Sequence, residues 1–171
     1  MTKPQRLLLL FLALFLLPLV LARLAFHQGW LQGGATVNKG QLINPPLAAA
    51  TLFEDDGKWR LIYVQPAQCD AACEQSLFIL GQTHLALGKE LDRVQPLVLG
   101  AGNVDPADHA GLVFRPVAEV APLAPGRLFL ADPRGFVMLS YQPVAERQAA
   151  LALGKDMLSD LKKLLKLSQI G

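Results

Sequence analysis

The chain has 171 residues, of which 52% are hydrophobic, 16 are lysine or arginine and 14 are aspartate or glutamate. This length allows one domain with a substantial core and a short additional segment. Three of the basic residues lie in the first 26 positions, so the remainder carries 13 basic against 14 acidic residues. A domain so close to neutral lacks the basic patch of a nucleic-acid-binding protein, and the sequence excludes that class of partner.

The first predicted element is a membrane anchor. Residues 7–22 are continuously apolar, and residues 7–30 are long enough to span a bilayer if Arg23 reaches the interface. Lys3 and Arg6 precede the run, which predicts a single-pass protein with a cytoplasmic N-terminus in a bacterial inner membrane and a periplasmic domain. A cleaved signal peptide has a similar pattern, but the sequence around Arg23 is a poor cleavage site. Both interpretations export the domain.

The segment after the anchor is predicted to be a linker. Residues 28–46 are rich in glycine, asparagine and proline and show no sustained periodicity. The chain therefore divides into an anchor at residues 1–27, a linker at residues 28–46 and a domain at residues 47–171. Within the domain, Leu47–Phe53 is a weak strand candidate, and an Asp-Gly turn separates it from the next element.

A buried strand followed by a helix is predicted at the centre of the chain. Trp59–Gln65 is an apolar run with β-branched and aromatic members, Pro66 ends it, and Ala71–Leu91 favours a helix with four leucines in one stripe. The chain has two cysteines, Cys69 and Cys73, which lie at this junction. Unpaired N–H groups and the helix dipole favour thiolate there. A disulfide across so short a loop adds little stability, so a redox or metal-binding role explains the pair better than a structural disulfide does.

The remaining elements complete a mixed sheet. Val94–Leu99 is predicted to be a second core strand, and residues 106–113 one or two helical turns. Arg127–Ala131 and Phe136–Tyr141 are predicted to form a hairpin around an Asp-Pro-x-Gly turn, and residues 144–167 a C-terminal helix. A helical crossover makes the first two strands parallel, whereas the hairpin is antiparallel. A mixed α/β sheet flanked by helices on both faces, with a dithiol at the first strand-to-helix junction, describes a thioredoxin-like fold.

Three features together resemble the SCO/SenC family, the membrane-anchored thioredoxin-fold proteins of cytochrome c oxidase assembly. They are the anchor, the CxxxC spacing of Cys69 and Cys73, and Leu128–Gly135, which is similar to the family's strand–DPxG–strand hairpin. The resemblance covers about residues 59–141. It implies a thioredoxin-like fold, a respiratory oxidase subunit or a copper chaperone as partner, and Cu(I) held by both cysteines and a histidine.

The chain departs from the family's copper-binding pattern. The family's histidine lies shortly before the hairpin, where residues 120–127 contain none, and Glu74 replaces the proline that usually follows the second cysteine. The resemblance therefore favours thiol–disulfide exchange over copper binding through the family's ligand set. His109, in the loop after the second strand, is the best substitute ligand, although a solvated loop histidine is the simpler interpretation. His84 is predicted to lie too far along the helix to share a metal with the cysteines.

The predicted function is assistance to oxidase assembly, by thiol–disulfide exchange with Cys69 as the nucleophile and Cys73 as its partner, or by Cu(I) delivery. Exchange would make the protein an oxidoreductase. The alternative is a membrane-tethered scaffold whose cysteines are incidental. Two further residues also have open interpretations. Asp70 either tunes the thiols or serves as an early helix acid, and Pro125 is either an ordinary trans proline or the cis proline of thioredoxin folds.

Overall fold

The computed structural model describes residues 3–27 and 38–168, and the chain divides into two compact units, residues 1–37 and 38–171. In the first unit, Lys3–His27 forms helix α1. The part of α1 over Lys3–Leu24 contains an 18-residue window with a mean hydropathy of 2.7 and is long and apolar enough to cross a membrane. The predicted N-terminal apolar helix is therefore confirmed. The end of the predicted span, at residues 28–30, lies outside the described residues.

The second unit is built on a six-stranded mixed sheet in the order β1-β6-β5-β2-β3-β4. The strands are β1 (Gln41–Ala48), β2 (Trp59–Val64), β3 (Val94–Leu99), β4 (Val113–Arg115), β5 (Arg127–Ala131) and β6 (Phe136–Tyr141). The central strand, β2, pairs in parallel with β3 and antiparallel with β5, and β5 and β6 form an antiparallel hairpin. The predicted parallel pair and the predicted hairpin are both confirmed.

Two helices, α2 (Ala71–Leu85) and α3 (Arg147–Leu167), pack on the same face of this sheet. Because side chains alternate along a strand, every second residue of β2 joins their cluster. The cluster includes Trp59, Leu61, Tyr63, Leu77, Leu80, Met157 and Leu161. The prediction of a mixed sheet flanked by helices is confirmed, but the expectation of helices on both faces is wrong, because α2 and α3 pack on the same face.

The opposite face of the sheet has its own apolar cluster. Ile62 and Val64 of β2 point into it, and Leu52 and Leu123 cover it. Leu52 belongs to a short 3-10 turn over Ala50–Leu52, and Leu123 lies in the loop before β5. No α-helical residue of the described chain is part of this cluster. Loops and one short turn therefore close this side of the domain.

The domain begins earlier than the sequence predicted. The structure places Gln41–Ala48 in β1, paired antiparallel with β6, although residues up to 46 were expected in the linker and a strand at Leu47–Phe53. Residues 28–37 of the predicted linker lie outside the described residues. This strand contains two adjacent prolines and is mostly exposed, so its own sequence gives little indication of a strand.

A buried carboxylate holds the entry to β1. Asp160 of α3 is fully buried, and its Oδ2 accepts hydrogen bonds from the backbone N–H groups of Lys39 and Gly40, both at 2.8 Å. The same oxygen accepts a bond from the Tyr141 hydroxyl at 3.0 Å. Burial, followed by the nearby Asp160 charge, raises the pKa of Tyr141 far above its usual value, so the hydroxyl remains a donor. The chain before β1 is thereby joined to the C-terminal helix.

The remaining predicted elements differ from the structure mainly at their ends. The helix expected over Ala71–Leu91 ends at Leu85, because Gly88 adopts φ +61° and the chain continues as a 3-10 turn over Gly88–Arg93. Residues 106–113 form only a 3-10 turn at Pro106–Asp108 before β4 begins.

Helix α3 starts later than predicted, at Arg147 instead of residue 144. Glu146 is its N-cap and accepts hydrogen bonds from the backbone N–H groups of Gln148 and Ala149, at 2.9 and 2.7 Å. The leucine pattern of this helix predicts Leu151 on its packed face, but that side chain is 43% exposed.

Candidate active site

The two cysteines lie at the junction between β2 and α2, as predicted. β2 ends at Val64, α2 begins at Ala71, and Cys69 and Cys73 are joined by a disulfide with a Cα–Cα separation of 5.2 Å. This separation is in the ordinary range for a disulfide. Their positions in the fold are thus observed, whereas their catalytic role remains a prediction.

The two sulfurs differ in accessibility. Cys73 is only 1% exposed and belongs to the cluster beneath α2 and α3. Cys69 is half-buried and packs against the edge of the same cluster. An external thiol can therefore approach Cys69 from solvent, while the surrounding core shields Cys73.

Asp70, between the cysteines, is the N-cap of α2. Its Oδ1 accepts a hydrogen bond from the backbone N–H of Cys73 at 2.9 Å. This bond satisfies one of the N–H groups that a helix leaves unpaired at its first turn. Of the two interpretations of Asp70, the structure shows the helix acid, and its partner is the second cysteine itself. Cys73 is consequently fixed by the helix, by the cap and by burial.

A buried tyrosine lies in the same cluster as Cys73. Tyr63 of β2 is almost fully buried, and burial, with smaller contributions from Asp70 and Glu74, raises its pKa to about 12. A hydrogen bond with Ser76 acts in the opposite direction. Tyr63 is therefore neutral at physiological pH and brings no charge to the buried side of the disulfide.

The two chain segments that meet at the disulfide contain acidic residues but no lysine or arginine over residues 61–88 and 94–114. The acids are Asp70 and Glu74 beside the cysteines, with Asp105 and Asp108 in the second segment. On α3, the guanidinium of Arg147 lies 4.4 Å from the ring centroid of Phe78, on the following turn of α2.

A residue that the sequence did not single out contacts the first cysteine. The backbone N–H of Cys69 donates to the side-chain Oδ1 of Asn103 at 2.9 Å. Asn103 lies in the loop after β3, and β3 is the parallel neighbour of β2. Neighbouring parallel strands end at the same edge of a sheet, and this was the available sequence signal. It indicates the loop, but not which of its residues reaches Cys69.

His109 is not brought together with the cysteines as a ligand set. It follows the Pro106–Asp108 turn, is half-buried, and its ring centroid lies 6.2 Å from that of Phe114. Within residues 3–27 and 38–168, no group of three or more His, Cys, Asp or Glu side chains could hold a metal ion. The substitute-ligand hypothesis for His109 is therefore not supported by the geometry.

His84 and Pro125, which the sequence analysis also considered, have no observed role at the disulfide. His84 lies near the C-terminus of α2, and its Nε2 is 2.9 Å from the carbonyl oxygen of Val94 and 3.2 Å from that of Leu91. The bond before Pro125 is trans, so the cis interpretation is wrong. Among the described residues, the cis bonds are Asn44–Pro45 and Ala121–Pro122.

The match to a known protein family agrees with this architecture. Residues 59–168 match the family model described as the transmembrane-like, thioredoxin-like C-terminal domain. A search of curated proteins gives no match. Among solved structures, a thiol:disulfide interchange protein DsbE from Chlorobium tepidum is similar with a TM-score of 0.47 and 18% identity, over 72% of this chain and 96% of that one. Because the family model covers most of the chain, this protein belongs to the transmembrane-like, thioredoxin-like C-terminal domain family.

Proposed function

We propose that this protein is a membrane-anchored thiol–disulfide oxidoreductase whose Cys69–Cys73 pair cycles between dithiol and disulfide. The observation that carries the proposal is the asymmetric bonded pair at the start of α2. Its first cysteine is half-exposed and its second is buried and capped. Thiol–disulfide exchange requires one accessible sulfur that attacks the client and a second sulfur that re-forms the intramolecular disulfide, and the pair supplies both.

The exchange is balanced by the two cysteines and a client disulfide. The Cys69 thiolate attacks one sulfur of the client, forms a mixed disulfide and releases the other client sulfur as a thiolate, which takes up a proton. The Cys73 thiolate then attacks Cys69 Sγ, restores the disulfide seen in the structure and releases the second client thiol. Two electrons pass from the protein to the client, and a protein dithiol must reduce the pair again before the next cycle.

The position of Cys73 suits this second step. It lies in the first turn of α2, where the helix dipole favours negative charge on sulfur and so opposes the effect of burial. The N-cap bond from its own N–H to Asp70 keeps the residue in place while the sulfur changes partner. The buried surroundings also keep competing thiols away from Cys73.

The location and the client are part of the proposal. The apolar helix α1, with Lys3 and Arg6 before its apolar run, supports an inner-membrane anchor and a periplasmic domain. The CxxxC spacing and the β5–β6 hairpin, both shared with the SCO/SenC family, support a client cysteine pair at the copper site of a respiratory oxidase subunit. A copper chaperone is the corresponding alternative partner.

Copper delivery by the protein itself fits the site less well. Thiolates are suitable ligands for Cu(I), but the described residues offer two sulfurs and no third ligand beside them. Stoichiometric Cu(I) binding by the reduced full-length protein, abolished by Cys69→Ser and by Cys73→Ser, would contradict this preference.

The direct test uses full-length protein in detergent micelles and a peptide with a disulfide between two cysteines of an oxidase copper site. The reduced wild type is expected to reduce the peptide, Cys69→Ser to be inactive, and Cys73→Ser to accumulate a mixed disulfide with the peptide. The proposal fails if the wild type leaves the peptide oxidised.

A second test separates exchange from scaffolding in cells. A strain carrying the double Cys→Ser variant is expected to fail in oxidase assembly as a deletion strain does. Normal assembly with the double variant, together with failure in the deletion strain, would favour the scaffold instead.

A further inference from the structure

We propose that Asn103 is a positioning residue for the disulfide, which holds Cys69 where its sulfur meets that of Cys73. This inference rests on the proposed function, because it concerns how readily the same pair opens and closes. It starts from a hydrogen bond between Cys69 and a side chain outside the cysteine segment. The Oδ1 atom of Asn103 lies 2.9 Å from the Cys69 backbone nitrogen.

Cys69 needs such a partner because α2 does not hold it. The N-cap is Asp70, so Cys69 lies outside the helix and its N–H is not part of the helical hydrogen-bond ladder. Cys73, by contrast, is inside the helix and almost completely buried. The distance between the sulfurs therefore depends mainly on where the connection from β2 to α2 places Cys69. Asn103 fixes that connection from a position 34 residues away.

The loop that carries Asn103 is itself supported by the same connection. Val64 and Leu99 are register partners at the ends of β2 and β3, so the loops that follow them leave the sheet side by side. Immediately after β2, the side-chain Nε2 of Gln65 donates to the carbonyl oxygen of Gly100 at 2.6 Å. Gly100 adopts φ +110°, a conformation that favours glycine.

The backbones of the two loops are also in close approach. A Cβ atom added at Gly102 would lie 2.6 Å from the carbonyl oxygen of Pro66. Only a residue without a Cβ allows this spacing, and Asn103 follows directly. Val104, the next residue, packs against the cluster that contains Cys73. The asparagine amide is thus presented to Cys69 by a loop anchored on both sides of it.

The expected consequence is a change in the stability of the disulfide relative to the dithiol. Ring closure is favoured when both sulfurs are already held in bonding geometry. Asn103→Ala removes the acceptor and leaves the Cys69 N–H to solvent, which lets the reduced connection explore more conformations. With a typical net hydrogen-bond contribution, the equilibrium constant for disulfide formation should fall roughly fivefold. At 29.6 mV per tenfold, the reduction potential should rise by about 20 mV.

The experiment equilibrates full-length protein in detergent micelles with glutathione buffers at pH 7 and counts free thiols by alkylation. Asn103→Ala is expected to shift the midpoint toward reduction of the pair. Asn103→Asp retains an acceptor oxygen and should stay within about twofold of wild type, since the lost bond accounts for the shift. Glu146→Ala is the control, because it removes a helix cap elsewhere in the domain. It should lower the unfolding temperature without moving the midpoint.

A second substitution, at Gly102, perturbs the Asn103–Cys69 hydrogen bond by changing the spacing of the loop backbones. Gly102→Ala should separate the two loops and shift the midpoint in the same direction as Asn103→Ala. Gly81→Ala is its control, since the nearest atom to an added Cβ there is 3.8 Å away. This pair keeps the test available if Asn103→Ala does not fold.

The inference is overturned if Asn103→Ala folds with the wild-type midpoint, if Gly102→Ala does not shift the midpoint, or if Glu146→Ala shifts it as much as Asn103→Ala. The result is independent of the client assay. A wild type that reduces no oxidase peptide contradicts the proposed function, whereas the glutathione equilibrium measures the positioning of Cys69 in either case.

Discussion

Two side chains in this domain hold distant backbone segments in the same way, but in opposite surroundings. Asp160 is fully buried and accepts the N–H groups of Lys39 and Gly40, at the entry to β1. Asn103 is exposed and accepts the N–H of Cys69, beside the disulfide. A polar group left without a hydrogen-bond partner lowers stability strongly in the core but little at the surface, where water replaces the partner. The buried tether should therefore determine whether the domain folds, and the exposed one how the cysteine pair behaves.

The largest effect is expected from Asp160→Ala. It leaves two backbone N–H groups and the Tyr141 hydroxyl without their buried acceptor, and should cost about 3–5 kcal/mol of unfolding free energy. Chemical denaturation of the full-length protein in detergent, followed by near-UV circular dichroism, measures this cost. Asp156→Ala, one turn earlier on α3, is the control and should cost less than about 1 kcal/mol. Equal costs for the two variants would show that the carboxylate does not hold the entry to β1.

A smaller loss is expected from Gly40→Ala, which tests the same tether from its other side. An added Cβ at Gly40 would lie 2.5 Å from the Tyr141 ring, so either the ring or β1 must move. Overpacking of this kind typically costs about 1–3 kcal/mol. Gly81→Ala is the matched comparison, because Gly81, like Gly40, has no positive φ, and the nearest atom to an added Cβ there is 3.8 Å away. A loss at Gly81 as large as that at Gly40 would show that contact with Tyr141 does not set the cost.

A third polar arrangement, on the loop-covered face, predicts a dependence on pH. Arg60 is 1% exposed and pairs with Asp56. Burial alone would raise the pKa of Asp56, but the hydrogen bond and charge of Arg60 and the N–H of Lys58 outweigh it and lower the pKa. A carboxyl whose pKa is lowered by folding stabilises the domain above its unfolded pKa of 3.8, and this contribution is lost as the pH falls through the lower folded value.

The measurement is the midpoint of chemical denaturation between pH 7 and pH 2. Wild type should lose stability in the acid range, and Asp56→Asn should lose less of it there while being less stable at pH 7. A variant whose acid profile parallels that of wild type would show that the Arg60–Asp56 pair does not contribute to this dependence.

The smallest stability effect is expected from Asn103→Ala. Its hydrogen bond is exposed, so water can replace the lost acceptor, and the unfolding free energy of the oxidised protein should fall by no more than about 1 kcal/mol, which is the size of the fivefold redox shift. The same denaturation measurement as for Asp160→Ala provides the comparison. A loss similar to that of Asp160→Ala would remove the distinction between a folding tether and a redox tether.

Much of the core could be predicted from local sequence. The bounds of Val94–Leu99, Arg127–Ala131 and Phe136–Tyr141 are those expected, and Trp59–Gln65 is one residue longer than the observed strand. Each is a mostly apolar run bounded on at least one side by proline, glycine or a charged residue, and strands buried on both faces produce that pattern. The edge strands β1 and β4 were missed, because one contains two prolines and is mostly exposed and the other has three residues.

The candidate site was also only partly predictable from the sequence. Two cysteines four positions apart, directly before a helix and after a buried strand, are a local feature, so the sequence alone determined the CxxxC junction, its fold context and the apolar N-terminal helix. Only the tertiary structure decided that both helices of the domain share one sheet face, that Cys73 is buried while Cys69 is accessible, and that Asn103 and Asp160 hold segments far from them in sequence. Local patterns reflect the burial of each element, whereas hydrogen bonds between residues 34 or 120 positions apart depend on which strand ends and helix faces meet in the folded chain.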